Sequence, residues 1–246
     1  MKADNKRFQE IIYNISQSNH ERYNIGTYKE KTLHLALKRY FCDDQNYHEV
    51  PVEGFIADIM RDDTIYEIET SGFSGLCPKL SSYLPKYKVN LVIPVIAKKY
   101  VSWIDPLTSE ISKKHTSPKK ENIYDVIFET VRILPYINEK NLTVIAVFLE
   151  ADEYRMADGW SRNGKRGSHR FEMIPISISD ITKLNTDSDY LKCIPRELND
   201  EFTVKDFIKA TGTNEMTSRA VIKVLCAREI VKKSGQRGKS FIYTHI

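Results

Sequence analysis

Four carboxylates stand where their type and spacing could do chemistry. Asp58 lies near the end of the apolar stretch Gly54–Ile59 (GFIADI), and Glu67 and Glu69 follow in Tyr66–Thr70 (YEIET). Strand alternation puts Glu67 and Glu69 on one face, with Tyr66, Ile68 and Thr70 on the other. Asp58 precedes Glu67 across a short polar turn, Arg61-Asp62-Asp63, so antiparallel pairing brings these carboxylates close together. Like charges at that range repel unless a proton or a cation lies between them. A hard divalent cation with oxygen ligands, Mg²⁺ or Mn²⁺, resolves the conflict. Glu30 adds a fourth carboxylate, because on a helix it shares a stripe with Leu33 and Leu37 and so faces inward. Taken singly, each of these residues also fits a solvated strand face, with Glu30 paired to a lysine or to His34.

The flanking elements must hold these groups in place. A helix is expected around Phe8–Ile15, and a second over Thr27–Tyr40, where Leu33, Ala36, Leu37 and Tyr40 recur at helical spacing. Strands follow at His48–Val52, Gly54–Met60 and Thr64–Thr70. Ser74–Tyr83 forms a helix with Pro78 in its first turn, and Lys88–Ile96 is a nearly continuous apolar strand. Beyond it the sequence predicts a strand at Tyr100–Ile104, a polar loop at Ser112–Lys120, a helix over Glu121–Tyr136 and a buried strand at Thr143–Leu149. Arg155–Arg170 reads as a basic, glycine-containing loop, and 180–197 as a polar linker. This order points to an α/β sandwich.

Between Thr27 and about Ile96, the order helix, three strands, helix, strand, with Asp58 and Glu67-x-Glu69 at the second and third strands, resembles the PD-(D/E)XK nuclease superfamily. A less specific likeness continues to about Leu149. The resemblance implies a restriction-endonuclease-like fold over 1–179, a mixed sheet flanked by helices, and hydrolysis of phosphodiester bonds. It implies Asp58, Glu67 and Glu30 as ligands of Mg²⁺ or Mn²⁺. Asp58, Glu67, Glu69, Glu30 and Lys79 would form the catalytic set. The departure is Glu69, which stands where the family carries lysine. Some restriction enzymes of the superfamily have Glu-x-Glu there, and Lys79 on the following helix could return the missing positive charge.

The last 46 residues are built differently. Glu201–Ile246 holds nine Lys and Arg against four Asp and Glu, whereas the rest of the chain is nearly balanced within an overall charge of +4. Thr203-x-x-Asp206 opens a short helix that Gly212 ends, and Thr213-Asn214 caps another with Met216, Ala220, Val221, Val224 and Leu225 on one side. A basic hairpin around Gly235 and Gly238 follows. Helix, turn, helix, hairpin over 198–246 resembles a winged helix, which implies duplex DNA as partner. Ser218, Arg219 and Lys223 would face a groove, and Lys232, Lys233, Arg237 and Lys239 would meet phosphates. Arg162, Lys165 and Arg166 could clamp the same DNA.

Composition excludes several other classes. At 41% hydrophobic and 28% charged residues the chain is an ordinary globular mix, and its longest apolar runs are far shorter than a bilayer span. Four scattered cysteines without a C-x-x-C pair argue against a zinc site or a disulfide scaffold and for a reducing cytosol. The chain carries no Walker-type loop. The leading expectation is a Mg²⁺-dependent DNA endonuclease, suited to restriction or genome defence and able to act as a homodimer. The alternative is a nuclease-fold protein that has lost catalysis and regulates by binding DNA.

Overall fold

A two-residue turn sets the register of the sheet that carries the carboxylates. In the computed structural model, which describes residues 2–20, 31–70, 72–73, 75–160 and 166–246, Asp62 takes a left-handed φ of 53° between two paired strands. These are β2 (Phe55–Arg61) and β3 (Thr64–Ile68), with Ile59 opposite Tyr66, Met60 opposite Ile65 and Arg61 opposite Thr64. The fold is mixed α/β, a multi-strand sheet of both parallel and antiparallel pairs flanked by helices. The chain divides into two compact units, one of 1–48, 94–121 and 147–181, the other of 49–93, 122–146 and 182–246.

In the second unit β1 (His48–Val52) neighbours β2, and β3 leads through α3 (Leu76–Tyr83) to β4 (Lys88–Ile104). The crossover makes β4 parallel to β3, with Thr64 opposite Lys88 and Ile68 opposite Val92. A strand covered on both faces needs apolar residues in succession, and Leu91 and Val92 are both fully buried. On the other side of β4 lies β6 (Leu142–Trp160).

The expected helix over Glu121–Tyr136 is broken. Asn122 and Asp125 form a reciprocal capping box at the start of α4 (Ile123–Thr130), but the chain then tightens into 3₁₀ turns over Val131–Tyr136. Pro135 has no N–H to donate, and its ring cannot fit against the carbonyl four residues back. Ile133 leaves helical geometry at φ −112° and ψ 21°.

The C-terminal part of this unit comprises α5 (Asp187–Leu191), β8 (Glu201–Phe202), α6 (Val204–Thr211), α7 (Glu215–Ala227), β9 (Val231–Arg237) and β10 (Ser240–His245). Its small sheet has the order β8–β10–β9, with Tyr243 opposite Phe202 and Ser240 opposite Arg237. Thr203 and Asp206 cap α6 reciprocally, and Gly212 ends it at φ 67°, a conformation that suits glycine. Tyr124 of α4 meets Phe207 of α6 edge-on at 5.8 Å. The 180–197 stretch carries ordered structure, because β7 (Arg166–Leu184) runs into it and α5 follows. Arg228 fastens it, donating to Ile137 O at 2.8 Å and Asn185 O at 3.2 Å and pairing with Asp187.

In the first unit α1 (Asn5–His20) and α2 (Thr32–Phe41) pack through Phe8 and Tyr40, edge-on at 5.5 Å. Leu33, Ala36, Leu37 and Tyr40 are buried, as their spacing predicts. Beyond Pro94 β4 continues unbroken through the stretch expected as a separate strand. A two-residue strand, β5 (His115–Thr116), pairs against it within the expected 112–120 loop. Arg155–Arg170 is not a loop over most of its length. Its flanks belong to the neighbouring strands β6 and β7, and only 161–165 fall outside the described residues. Polar contacts such as the His169–Asp158 hydrogen bond at 2.6 Å tie these arms together, so the apolar alternation that marks a strand is missing from them. Among the described residues no helix is long and apolar enough to cross a membrane.

Candidate carboxylate site and basic surfaces

Asp58 lies just before Ile59 and Glu67 just after Tyr66, the pair at which the β2–β3 ladder ends, and the two carboxylates are close enough to repel. Asp58 Oδ2 accepts the Ile68 N–H at 2.7 Å, which fixes its carboxylate at the end of β3. Glu67 points the same way as Ile65 and is only 2% exposed. Its Oε2 lies 2.7 Å from Lys79 Nζ, and the same ammonium donates to Ile56 O at 2.8 Å. Glu67 Oε1 is buried and has no hydrogen-bond partner among the described residues.

Helix periodicity supplies the lysine. On α3, Leu76, Leu80 and Tyr83 fill the core, and Lys79 sits one turn before Tyr83 on the side facing β3. Tyr83 is fully buried, and its hydroxyl also lacks a partner among the described residues. Sequence reading missed Tyr83, since an aromatic four residues after Lys79 looks like core and only its unmatched hydroxyl marks it out.

Burial pushes the Glu67 carboxyl up to about 7, against the pull of Lys79, while Asp58 and Glu69 push it further in the same direction. Tyr83 is raised too, by burial first and then by Glu67 and Asp58. Glu69 is half-buried just past the end of β3, its N–H donating to Val92 O at 2.9 Å.

The donor set fits a hard divalent cation. Two neighbouring carboxylates, one with an oxygen unengaged among the described residues, match the one or two that Mg²⁺ commonly takes alongside waters and phosphate oxygens. Among the described residues no group of three or more His, Cys, Asp or Glu gathers as a fuller ligand set. Glu30, the expected further ligand, lies outside the described residues.

Comparison with known proteins bears on residues 31–185, which match one family model along well over half of the chain. The chain belongs to that family, described as Domain of unknown function (DUF8091). The DUF8091 segment takes in Asp58, Glu67, Glu69, Lys79 and Tyr83 and stops before β8. An uncharacterised protein of Treponema pallidum (strain Nichols) is similar, at 25% identity over 222 residues, covering 89% of this chain and 86% of the relative. No solved structure matches this chain.

Past the DUF8091 segment, the basic residues of α7 and β9 mostly face water. Arg219 and Lys223 are exposed, as are Lys232, Lys233, Arg237 and Lys239. Arg219 is engaged by Glu215 at 2.6 Å, and Lys233 Nζ sits 3.2 Å from the centre of the Phe241 ring. Ser218 corrects the expectation, because it is fully buried and its hydroxyl is 2.7 Å from Thr213 Oγ1. The helix phase turns Thr217, Ser218 and Ile222 inward and leaves Met216 65% exposed. Arg162 and Lys165 lie outside the described residues, and Arg166 opens β7.

Proposed function

We propose that this protein is a metal-dependent endonuclease of the restriction-endonuclease-like kind, with a C-terminal winged helix that holds duplex DNA. One observation carries the reading. A buried glutamate is held by a lysine on one oxygen, keeps the other oxygen unengaged among the described residues, and stands beside an aspartate. Asp58 and Glu67 would hold the cation, Mg²⁺ or Mn²⁺, which when bound supplies polarisation of the scissile phosphate and a more acidic water.

The protein's own groups supply the rest. Lys79 brings positive charge to a cluster that would otherwise repel a phosphodiester, from a helix rather than from the strand position that Glu69 occupies. Glu69, just past the end of β3, accepts a proton from the attacking water or orients it. Burial of Glu67 keeps water from screening these charges.

Support for the winged helix comes from the order β8, α6, α7, β9, β10 and from the basic turn between the last two strands, where Gly238 sits at φ 59°. Arg219 and Lys223 would face the groove, and Lys232, Lys233, Arg237 and Lys239 the phosphates. On this reading 1–179 form the nuclease body and 198–246 the DNA-holding module, and a homodimer would cut both strands. Restriction or genome defence suits that combination.

The second reading, a DNA-binding regulator without catalysis, is favoured by the Lys79–Glu67 pair itself, since an ammonium already neutralises the glutamate without a metal. Supercoiled plasmid incubated with the protein in Mg²⁺ and in EDTA separates the two. The nuclease reading expects nicking in Mg²⁺ and none in EDTA. Binding without nicking in Mg²⁺ or Mn²⁺ overturns it.

A further inference from the structure

In the first unit a buried carboxylate gathers more positive charge than it needs. Glu153 of β6 is fully buried and receives Lys99 of β4 at 2.8 Å, Arg155 of its own strand, and Arg170 of β7 at 3.6 Å. Burial pushes the Glu153 carboxyl up, but Lys99 and Arg155 outweigh that and hold it below the usual carboxylate range. One cation would neutralise it, and three leave a local surplus of two. Arg155 and Arg170 reach Glu153 through Nε and are 37% and 46% exposed. A partly exposed guanidinium fork suits an outside anion.

The same sheet face carries an aromatic platform. Alternation along β4 puts Trp103 on the side of Lys99, and along β6 it puts Ala157 and Gly159 on the side of Glu153 and Arg155. Trp103, Ala157, Gly159, Gly167 and Ser168 line an open groove of about 460 Å³. A β-carbon at Gly159 or Gly167 would meet nothing within 4 Å, so the groove floor is clear. Trp103 is 37% exposed, with its ring edge-on to His115 at 5.8 Å. Four strand residues, about 13 Å, separate the lysine from the indole.

We infer that this face binds a single-stranded nucleic-acid segment, its phosphates on Arg155 and Arg170 and a base stacked on Trp103. An unpaired strand offers both things the face presents sites for, a repeating anion and a flat π surface. Duplex DNA hides its base faces, and an acidic peptide has no need of the indole. The role rests on the nuclease reading only in that a strand held here is of the same substrate class.

The test uses the full chain in EDTA, so that no cleavage intervenes, with Trp160→Phe leaving Trp103 the only indole of the two. A fluorescein-labelled dT oligonucleotide should quench Trp103 and bind more tightly than a duplex of equal length competes. Trp103→Ala should weaken binding about tenfold, and Trp103→Phe should keep most of it. Arg155→Gln with Arg170→Gln should lower the salt slope by about 1.4, as two lost phosphates predict. Gly167→Leu, which fills the groove without touching Glu153, guards against a fold effect and should also weaken binding. The inference is overturned if the oligonucleotide leaves Trp103 unquenched. Equal binding by Trp103→Ala and Gly167→Leu, or equal quenching by polyglutamate, also overturns it. None of these results touches metal-dependent nicking, so the two readings fail separately.

Discussion

Lys79 Nζ lies 2.7 Å from Glu67 Oε2, reaching it from helix α3 rather than from the strand that carries Glu67. The ammonium is one-quarter exposed and the carboxylate almost wholly buried, so the pair faces outward through its cation. Replacing it by Lys79→Met should reduce cleavage by about 10²–10⁴-fold, the usual worth of a positioned proton-transfer or charge-stabilising group. The variant should also lose stability at pH 8, by up to about 3 kcal/mol, with little loss at pH 5, where Glu67 takes a proton instead. Urea unfolding at both pH values, beside a cleavage assay, checks the two effects.

The raised Glu67 carboxyl gives the metal-free fold a distinct pH profile. Its ordinary value is 4.5 and burial lifts it to about 7, against Lys79. Between those limits the folded chain holds a proton that the unfolded chain has released. Its contribution is therefore full below about 4.5 and falls away as pH rises through 7, a swing on the order of 3 kcal/mol. Glu67→Gln cannot titrate, so in EDTA its stability should stay flatter from pH 5 to pH 8 than that of the parent. Parallel profiles would show that Glu67 is ionised throughout.

Ser218 and the basic hairpin should separate in their effects. Ser218→Ala breaks the buried contact with Thr213 and should cost about 1 kcal/mol of stability while leaving DNA affinity unchanged. Lys232→Ala with Arg237→Ala should leave stability alone, weaken duplex binding, and lower the slope of log affinity against log salt by about 2. Anisotropy titrations at several salt concentrations measure this. An unchanged slope would assign the hairpin to a protein partner.

Arg228 joins α7 to the 3₁₀ turns and to the start of α5 through Ile137 O, Asn185 O and Asp187, and its guanidinium lies 5.0 Å from the Tyr190 ring. Arg228→Ala leaves two carbonyls without their donor in a nearly closed site and should cost about 2–4 kcal/mol. Arg228→Lys should recover only part of this, because an ammonium cannot span the same three acceptors. Thermal unfolding of the two variants checks the order.

Much of this was legible because the signals were local. Alternating residues marked β1, β2 and β3, a polar turn at 61–63 fixed their hairpin, and the nearness of Asp58 to Glu67 followed from it. Paired caps at Thr203 and Asn214 marked α6 and α7. What the sequence hid was set by tertiary context. The polar arms of β6 and β7 are held by ladders and ion pairs rather than by apolar burial, so they read as loop. Ser218 lies inward because a phase shift of one residue on a short helix is invisible until Thr211 and Thr213 are there to receive its hydroxyl. The Lys99, Arg155 and Arg170 cluster draws on three strands, and no local pattern announces it.

The most direct test compares the parent with Asp58→Asn on the same labelled duplex in Mg²⁺, reading affinity and cleavage in one experiment. Equal binding is expected, with cleavage by the parent and none above background by Asp58→Asn. Cleavage by Asp58→Asn at the parent's rate would contradict this, because the carboxylate cluster would then have no part in the chemistry.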